Sequence, residues 1–376
     1  MGLIETHTPE TAILAQAVCG ARDPAEAADS LLELARLADT AGMAVVGQVT
    51  QRRARPDGAA MVGEGKVEEL RGAVESTGAN TVVFDNPLNA FQQHNLAKAL
   101  GARVMDRTEL ILLIFSRRAR SAESKIQVEL AQQEMLLSRI PVLESQQRFQ
   151  GAANVRGPGE SHLQLRNRPI RRRIAELRRQ LDEIRARAER SREKRKFPEV
   201  CLAGYTNAGK STLLNTLAGT DAYVDDRLFA TLDTKTRLLW LSPTRKALLT
   251  DTVGFIRNLP ASLVASFRST LDVAVHADLL LLVVDASHPR LAGHIAVCRE
   301  TLAQIGAGGV PTLLVLNKCD AEGADGVVTR LAETEPLAIP VSARTGHGLG
   351  VLKANIAAEL LKASPFWRAP PSVPQK

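Results

Sequence analysis

The sequence predicts a mixed α/β protein in three parts: a small parallel α/β domain (residues 1–108), a long antiparallel helical hairpin (109–197) and a doubly wound α/β domain with a phosphate-binding loop (198–364). Three observations carry this. Short apolar strands alternate with helical stretches over the first hundred residues, a heptad seam follows, and a complete glycine-rich phosphate loop then sits between a strand and a helix.

In the first part, 44–49, 81–85 and 103–106 read as strands, with helical stretches around 67–75 and 89–100 between them. Gly63-Glu64-Gly65-Lys66 lacks phosphate-loop spacing and reads as a helix-entry loop. In the second part, Ile170, Ile174, Leu177, Leu181, Ile184 and Ala188 recur at alternating four- and three-residue steps, the spacing of a coiled seam. The partner helix over 122–147 has Ile126, Leu130, Leu137 and Ile140 on one stripe, with a break expected at Pro141. The glycine-rich tip of the hairpin contains Arg156, Gly157 and Gly159. Phe197-Pro198 ends the second helix, and the Pro-rich tail over 365–376 is expected to be disordered.

Charge is concentrated in one element. The chain has a net charge of +7, and the stretch from Arg166 to Lys196 alone holds 14 basic and 5 acidic residues, which leaves the rest close to neutral. Contact with a polyanion is therefore expected at the hairpin, with Arg156, Gly157, Gly159, Arg172 and Arg179 as RNA-contact candidates. Four scattered cysteines and seven histidines show no metal-ligand spacing, so a reducing, cytoplasmic setting without a structural metal is expected. The apolar run at 279–284 is too short to span a bilayer.

Residues 204–211 read Gly204, Tyr205, Thr206, Asn207, Ala208, Gly209, Lys210 and Ser211. The glycines let successive N–H groups turn inward, and the following helix N-terminus adds partial positive charge, so triphosphate oxygens meet prepositioned donors. Lys210 is expected on the β- and γ-phosphates and the Ser211 hydroxyl on Mg2+. Asp251, Thr252, Val253 and Gly254 follow a strand at 247–250; Asp251 would hold Mg2+ through water, and the Gly254 N–H would bind the γ-phosphate. Phe229, Ala230, Thr231, Leu232 and Asp233 form a segment without clear periodicity, in which Thr231 is expected to close over Mg2+, with Thr234 as its competitor. Asn317, Lys318, Cys319 and Asp320 end a buried strand. There Asp320 can accept from guanine N1–H and N2–H2, Asn317 can address the O6/N7 edge and the Lys318 stem can cover the ring. Ser342, Ala343 and Arg344 follow a further short strand, with the Ala343 backbone amide aimed at O6. The combination points to GTP and GDP as ligands.

Phe255 stands where many GTPases carry a Gln that orients the attacking water, so unaided turnover is expected to be slow and partner-stimulated. Asn207 resembles the Asn of GTPases that recruit K+ near the phosphates; the alternative is an amide satisfied by loop backbone.

Taken together, the chain resembles the HflX family of GTPases. The strings that carry the resemblance are Gly63-Glu64-Gly65-Lys66-Val67-Glu68-Glu69, the run from Ala119-Arg120-Ser121-Ala122-Glu123-Ser124 to Leu130, the tip Arg156-Gly157-Pro158-Gly159-Glu160, and the two nucleotide motifs. The resemblance implies binding to the large ribosomal subunit and its RNA, and a role in splitting or rescuing stalled ribosomes; a monomer is expected. Three departures stand out. Ser161-His162-Leu163-Gln164 replaces the usual Thr-Gln-Leu-Glu, Lys235 follows Asp233-Thr234 where Asp-Pro is usual, and little chain follows Lys362 where many members carry a further domain. A GTP-controlled binding module for another RNA or protein is the alternative reading, and an ATP-dependent role of the first domain is a third.

Overall fold

The computed structural model describes residues 10–21, 23–149, 162–220, 228–229, 231–257, 263, 266–335 and 337–363. The chain divides into two compact units: residues 1–117 with 128–179, and residues 118–127 with 180–376.

The first unit is built on a four-stranded, all-parallel sheet in the order β2-β1-β3-β4, with β1 Thr11–Cys19, β2 Ala44–Arg53, β3 Thr81–Phe84 and β4 Arg103–Asp106. β1 is a central strand, and its apolar residues are buried on both faces, as a parallel sheet covered by helices requires. The sequence pattern did not point to it, or to the helix α1 (Pro24–Thr40) that follows. The Asp23 carboxylate caps that helix by accepting from the Ala25 N–H, and Pro24 occupies its first turn. α2 (Glu64–Thr77) starts after Gly63, its N-cap, so the Gly-Glu-Gly-Lys string is a helix entry. α3 (Ala90–Leu100) opens with a reciprocal capping box between Asn89 and Gln92. Ile13, Leu70, Val82, Phe84 and Leu96 form the heart of the core between sheet and helices. A buried polar knot crosses this unit: Arg107, at the start of α4 (Arg107–Arg118), pairs with Asp85 at 2.7 Å and with Glu33, and Asp85 also accepts from Gln16 and Ser30.

α5 (Ala122–Phe149) and α6 (His162–Glu193) are the two long helices. Within the first unit Glu134 faces Arg178 while Leu137 and Ser138 face Arg171 and Ile174, the order of an antiparallel pair. Ile174, Leu177 and Leu181 are buried and their neighbours on the other side of the helix exposed, so the predicted seam is real. The expected break at Pro141 is not observed, and α5 passes through it. A proline inside a helix removes one backbone hydrogen bond, and the long helix continues past it here, as α6 does at Pro169.

The second unit carries a six-stranded sheet in the order β10-β9-β8-β5-β7-β6, with β5 Glu199–Gly204, β6 Lys235–Trp240, β7 Lys246–Asp251, β8 Leu279–Asp285, β9 Thr312–Asn317 and β10 Ile339–Pro340. All neighbours are parallel except β6, which pairs antiparallel with β7 at the edge. Helices cover both faces. α7 (Lys210–Ala218) and α11 (Leu349–Ala363) close one core with Leu202, Leu213, Leu281 and Ile356. α8 (Arg268–Val275), α9 (Leu291–Gln304) and α10 (Ala324–Thr334) close the other with Ala203, Leu280, Leu282 and Cys298. This is the predicted doubly wound architecture. No helix among the described residues is long and apolar enough to cross a membrane.

Candidate functional site

The site lies at the C-terminal ends of β5, β7, β8 and β9, where open parallel sheets bind ligands. β5 ends at Gly204 and α7 begins at Lys210, so the phosphate loop occupies the strand-to-helix turn. Two of its glycines are sterically required. Gly204 has φ +147°, and a Cβ there would stand 2.0 Å from the Val283 carbonyl oxygen. Gly209 has φ +85°, and a Cβ there would meet the Asn317 amide at 2.3 Å. Asn207 also takes a left-handed backbone, with φ +58°.

Lys210 is buried and folds its ammonium back across the loop, donating to the carbonyls of Gly204 at 3.0 Å and Tyr205 at 2.8 Å. Burial lowers its pKa, and the Asp251 charge opposes that effect. Beside it three oxygens converge. Ser211 Oγ donates to Asp251 Oδ2 at 2.7 Å, Thr231 Oγ1 donates to the same oxygen at 2.9 Å, and the two hydroxyl oxygens are 2.8 Å apart. The residues expected to hold Mg2+ therefore meet, although they come from a helix start, a loop and a strand end. Thr234 is exposed, which leaves Thr231 as the threonine of this cluster. Asp251 is buried and desolvation raises its pKa; its Oδ1 and Thr206 Oγ1 are buried and have no hydrogen-bond partner among the described residues.

These groups fit a magnesium ion bound with phosphate. The two hydroxyl oxygens and Asp251 Oδ2 lie within 2.9 Å of one another, and a hard cation suits that oxygen set. Among the described residues no cluster of three histidine, cysteine or acidic side chains could hold a metal, and this site does not need one, since hydroxyls and a single carboxylate suffice beside a nucleotide.

Phe255 is buried in the core beside Tyr205. Its N–H donates to the Gly204 carbonyl at 2.9 Å and its carbonyl accepts from Thr206 N–H at 2.8 Å, a one-residue parallel bridge between the two motifs. Gly254 is thereby pressed onto the phosphate loop: a Cβ there would lie 2.9 Å from Thr206 and 3.0 Å from Lys210 Nζ. Thr252 hydrogen-bonds the Leu202 carbonyl, and Val253 is buried. Behind the loop Tyr205 stacks on His294 at 3.9 Å, His288 lies beside His294, and the Tyr205 hydroxyl accepts from Arg257 N–H. Burial is the main reason that the His294 pKa falls to about 3.

Two residues of the guanine side, Asn317 and Ala343, contact each other. Asn317 is buried, with its Nδ2 donating to the Ala208 carbonyl at 2.8 Å and its Oδ1 accepting from Ala343 N–H at 3.0 Å. Its carboxamide ties the phosphate loop to the Ser342-Ala343 turn and so positions the pocket; the nitrogen carries two N–H groups, so its contact with Ala208 is compatible with the expected reach to the O6/N7 edge. The Ala343 amide expected at O6 is engaged by the same contact. Asp320 sits in a concave region with Cys319, Pro340, Thr345 and His347. Its pKa is lowered, first by a hydrogen bond from Ser342, and Arg344 pairs with it at 2.5 Å. Lys318 takes a left-handed backbone and pairs with Asp285 at 2.7 Å, while Cys319 N–H bonds the Val341 carbonyl.

Phe229, Leu232 and Thr231 are buried, whereas the Asp233 carboxylate is turned to the start of α5. It accepts from the backbone N–H groups of Arg120 at 3.3 Å and Ser121 at 3.2 Å, and from Ser121 Oγ at 2.6 Å. Arg172 and Arg179 lie on the exposed side of α6. Ala230, Arg156, Gly157 and Gly159 fall outside the described residues. Sequence reasoning missed Ser121, Arg257, Asp285 and His294, which act through tertiary contacts that no local spacing announces.

Comparison with known proteins fits this geometry. Families described as "GTP-binding GTPase N-terminal", "GTP-binding GTPase Middle Region" and "50S ribosome-binding GTPase" match residues 28–116, 118–195 and 199–318. GTPase HflX of Caldanaerobacter subterraneus subsp. tengcongensis is 43% identical over 361 residues, covering 94% of this chain and 81% of that protein. The chain belongs to the HflX family of GTPases. GTPase HflX of Escherichia coli is 41% identical over 326 residues, covering 85% of this chain and 76% of its own. Among solved structures, a complex of the protein SsGBP with GDP superposes with TM-score 0.52 at 26% identity, over 95% of this chain and 99% of that one.

Proposed function

We propose that this HflX-family protein binds GTP with Mg2+ in the cytoplasm, hydrolyses it slowly when alone, and acts on the large ribosomal subunit to split or rescue stalled ribosomes. The observation that carries the catalytic part is the meeting of Ser211, Thr231 and Asp251 within 2.9 Å at the mouth of a phosphate loop. The loop N–H groups and the α7 N-terminus would hold the phosphates. Lys210 would swing its ammonium from the loop carbonyls to the β- and γ-phosphates and neutralise charge as the terminal phosphoryl group leaves. Ser211 and Thr231 would hold Mg2+ with Asp251 behind them; when bound, the ion supplies charge neutralisation on the phosphate oxygens. Gly254 would present its N–H to the γ-phosphate. No polar side chain follows it, because Phe255 is committed to the core, so a partner must help to position the attacking water. K+ near Asn207 would add a further positive charge.

The family description "50S ribosome-binding GTPase" and the basic α6 support the large subunit as that partner. The test has two arms. Ser211→Ala should abolish Mg2+-dependent hydrolysis in a folded protein, and Asp320→Asn should move preference from GTP toward xanthosine triphosphate. Sedimentation with purified subunits, with and without a non-hydrolysable GTP analogue, reads the ribosomal role; failure to co-sediment in either state would reject it.

A further inference from the structure

The edge hairpin β6–β7 has a composition and exposure that nucleotide hydrolysis does not explain. Residues 235–246 contain Lys235, Arg237, Arg245 and Lys246 and no acidic residue. β6 is the free edge of the sheet, and only Leu239 of its six residues is buried. In register, Trp240 lies opposite Lys246 and Leu238 opposite Leu248. Trp240 is 50% exposed, with Lys246 Nζ 3.8 Å from its ring centroid. One face of the indole thus lies under a cation while much of the ring meets solvent.

Edge strands commonly carry lysine and arginine to discourage pairing with other chains. That accounts for Lys235 and Arg237, but a half-exposed tryptophan on the same edge works against it. A flat aromatic ring framed by cations is the arrangement that single-stranded nucleic acids use: bases stack on the ring and phosphates meet the cations, with little dependence on sequence. The absence of any carboxylate over twelve residues makes the patch complementary to phosphate and not to basic or neutral peptides.

We propose that the β6–β7 hairpin is an RNA-contact surface on which Trp240 stacks with an unpaired base while Lys246, its cross-strand partner, and the adjoining Arg245 meet the flanking phosphates. It is separate from the helical hairpin, and it lies at the end of β6 away from the nucleotide site, since Lys235 pairs with Asp251 and Trp240 with Lys246.

The sequence has two tryptophans, so full-length protein carrying Trp367→Phe leaves Trp240 as the only reporter. It is titrated with a non-self-complementary single-stranded RNA of about eight nucleotides, and with the same strand annealed to its complement. The single strand should quench Trp240 emission and the duplex should not, because its bases are already stacked. Trp240→Leu should weaken single-strand binding about tenfold, measured by anisotropy of labelled RNA, while Trp240→Phe stays within about threefold. Arg245→Gln with Lys246→Gln leaves the core untouched and should flatten the log affinity against log salt slope by about 1.4, or about 0.7 for each phosphate no longer neutralised. Absence of quenching, equal affinity of Trp240→Leu and the parent, or an unchanged slope in the double variant would each overturn the proposal. A blue shift with phosphatidylserine vesicles and no response to RNA would assign the patch to a lipid surface instead, and reject it as well. The titration contains no ribosome, so its outcome is independent of the ribosomal role proposed above.

Discussion

Asn317, at the end of β9, ties two loops together with one carboxamide, because its two polar atoms reach the phosphate loop and the Ser342-Ala343 turn at once. Replacing it with alanine would leave the Ala208 carbonyl and the Ala343 N–H without that partner in a dry site, and each such vacancy costs about 1–3 kcal/mol. Asn317→Ala should therefore lower the urea-unfolding free energy by about 2–4 kcal/mol and weaken GTP binding at least about tenfold. Unchanged stability would remove the bridging role. The motif was legible in the sequence but this role was not, since a four-residue string states which groups are present and not where they point. His294 leads to a pH prediction of definite sign. In the unfolded chain it titrates near 6.5, whereas burial against Tyr205 and His288 holds it neutral down to about 3. Between those values the unfolded state binds the extra proton, so its contribution leaves stability untouched above about pH 6.5 and erodes it progressively as pH falls toward 3. A decrease of about 1–2 kcal/mol between pH 6.5 and 5 is expected, and His294→Phe, which keeps a stacked ring, should flatten that slope in urea titrations at the two pH values.

At the scale of elements, Asp233 joins the loop bearing Thr231 to the first turn of α5. Its carboxylate accepts two backbone N–H groups and the Ser121 hydroxyl, and these hydrogen bonds hold its pKa below the usual aspartate range. Helix N-terminal contacts of this type are worth about 0.5–2 kcal/mol, so Asp233→Ala should lower stability by about that much. Ser121→Ala and the double variant complete a thermodynamic cycle in which coupling of at least about 0.5 kcal/mol is expected; additive effects would show that the two residues act independently. The interaction stabilises the fold above the unfolded pKa of aspartate and disappears as pH falls through the lowered folded value. No reading of the Asp233 segment alone finds this, because Ser121 is more than a hundred residues away. The fold was legible where periodicity was clean, as in the α6 seam and the strands flanking the phosphate loop. It was missed where tertiary context decided: β1, whose alanines and buried Gln16 blur an apolar run, and edge strand β6, whose exposed cations mask its pairing with β7. For α1 a signal was present, since Asp23-Pro24 ahead of a leucine-rich stretch is a helix start.

For the molecule as a whole, the basic excess of α6 is partly internal. Arg173 pairs with Glu129 and Glu176, Arg178 with Glu134, Arg187 with Glu183, and Arg185 with Asp182 and Asp272. Such exposed pairs stabilise little, but they engage charge that a polyanion would otherwise meet. Arg172 and Arg179 stand on the outer side of the helix, away from the seam formed by Ile174, Leu177 and Leu181. Arginines on the outer side of the helix should therefore respond differently from those that brace the helix pair. Reversing Arg172 and Arg179 to glutamate should weaken binding to large ribosomal subunits and reduce the steepness of its salt dependence, by about 0.7–0.9 in slope for each phosphate no longer neutralised. Reversing Arg173 should instead act on the helix pair, removing its bonds to Glu129 and placing like charges together, with a change in thermal stability and little change in salt slope. Subunit sedimentation across a salt series, run beside thermal unfolding of each variant, separates the two effects. Identical salt slopes for the parent and the Arg172/Arg179 variant would mean that the outer face of α6 merely solvates the hairpin, and the polyanion contact would have to be sought elsewhere on the chain.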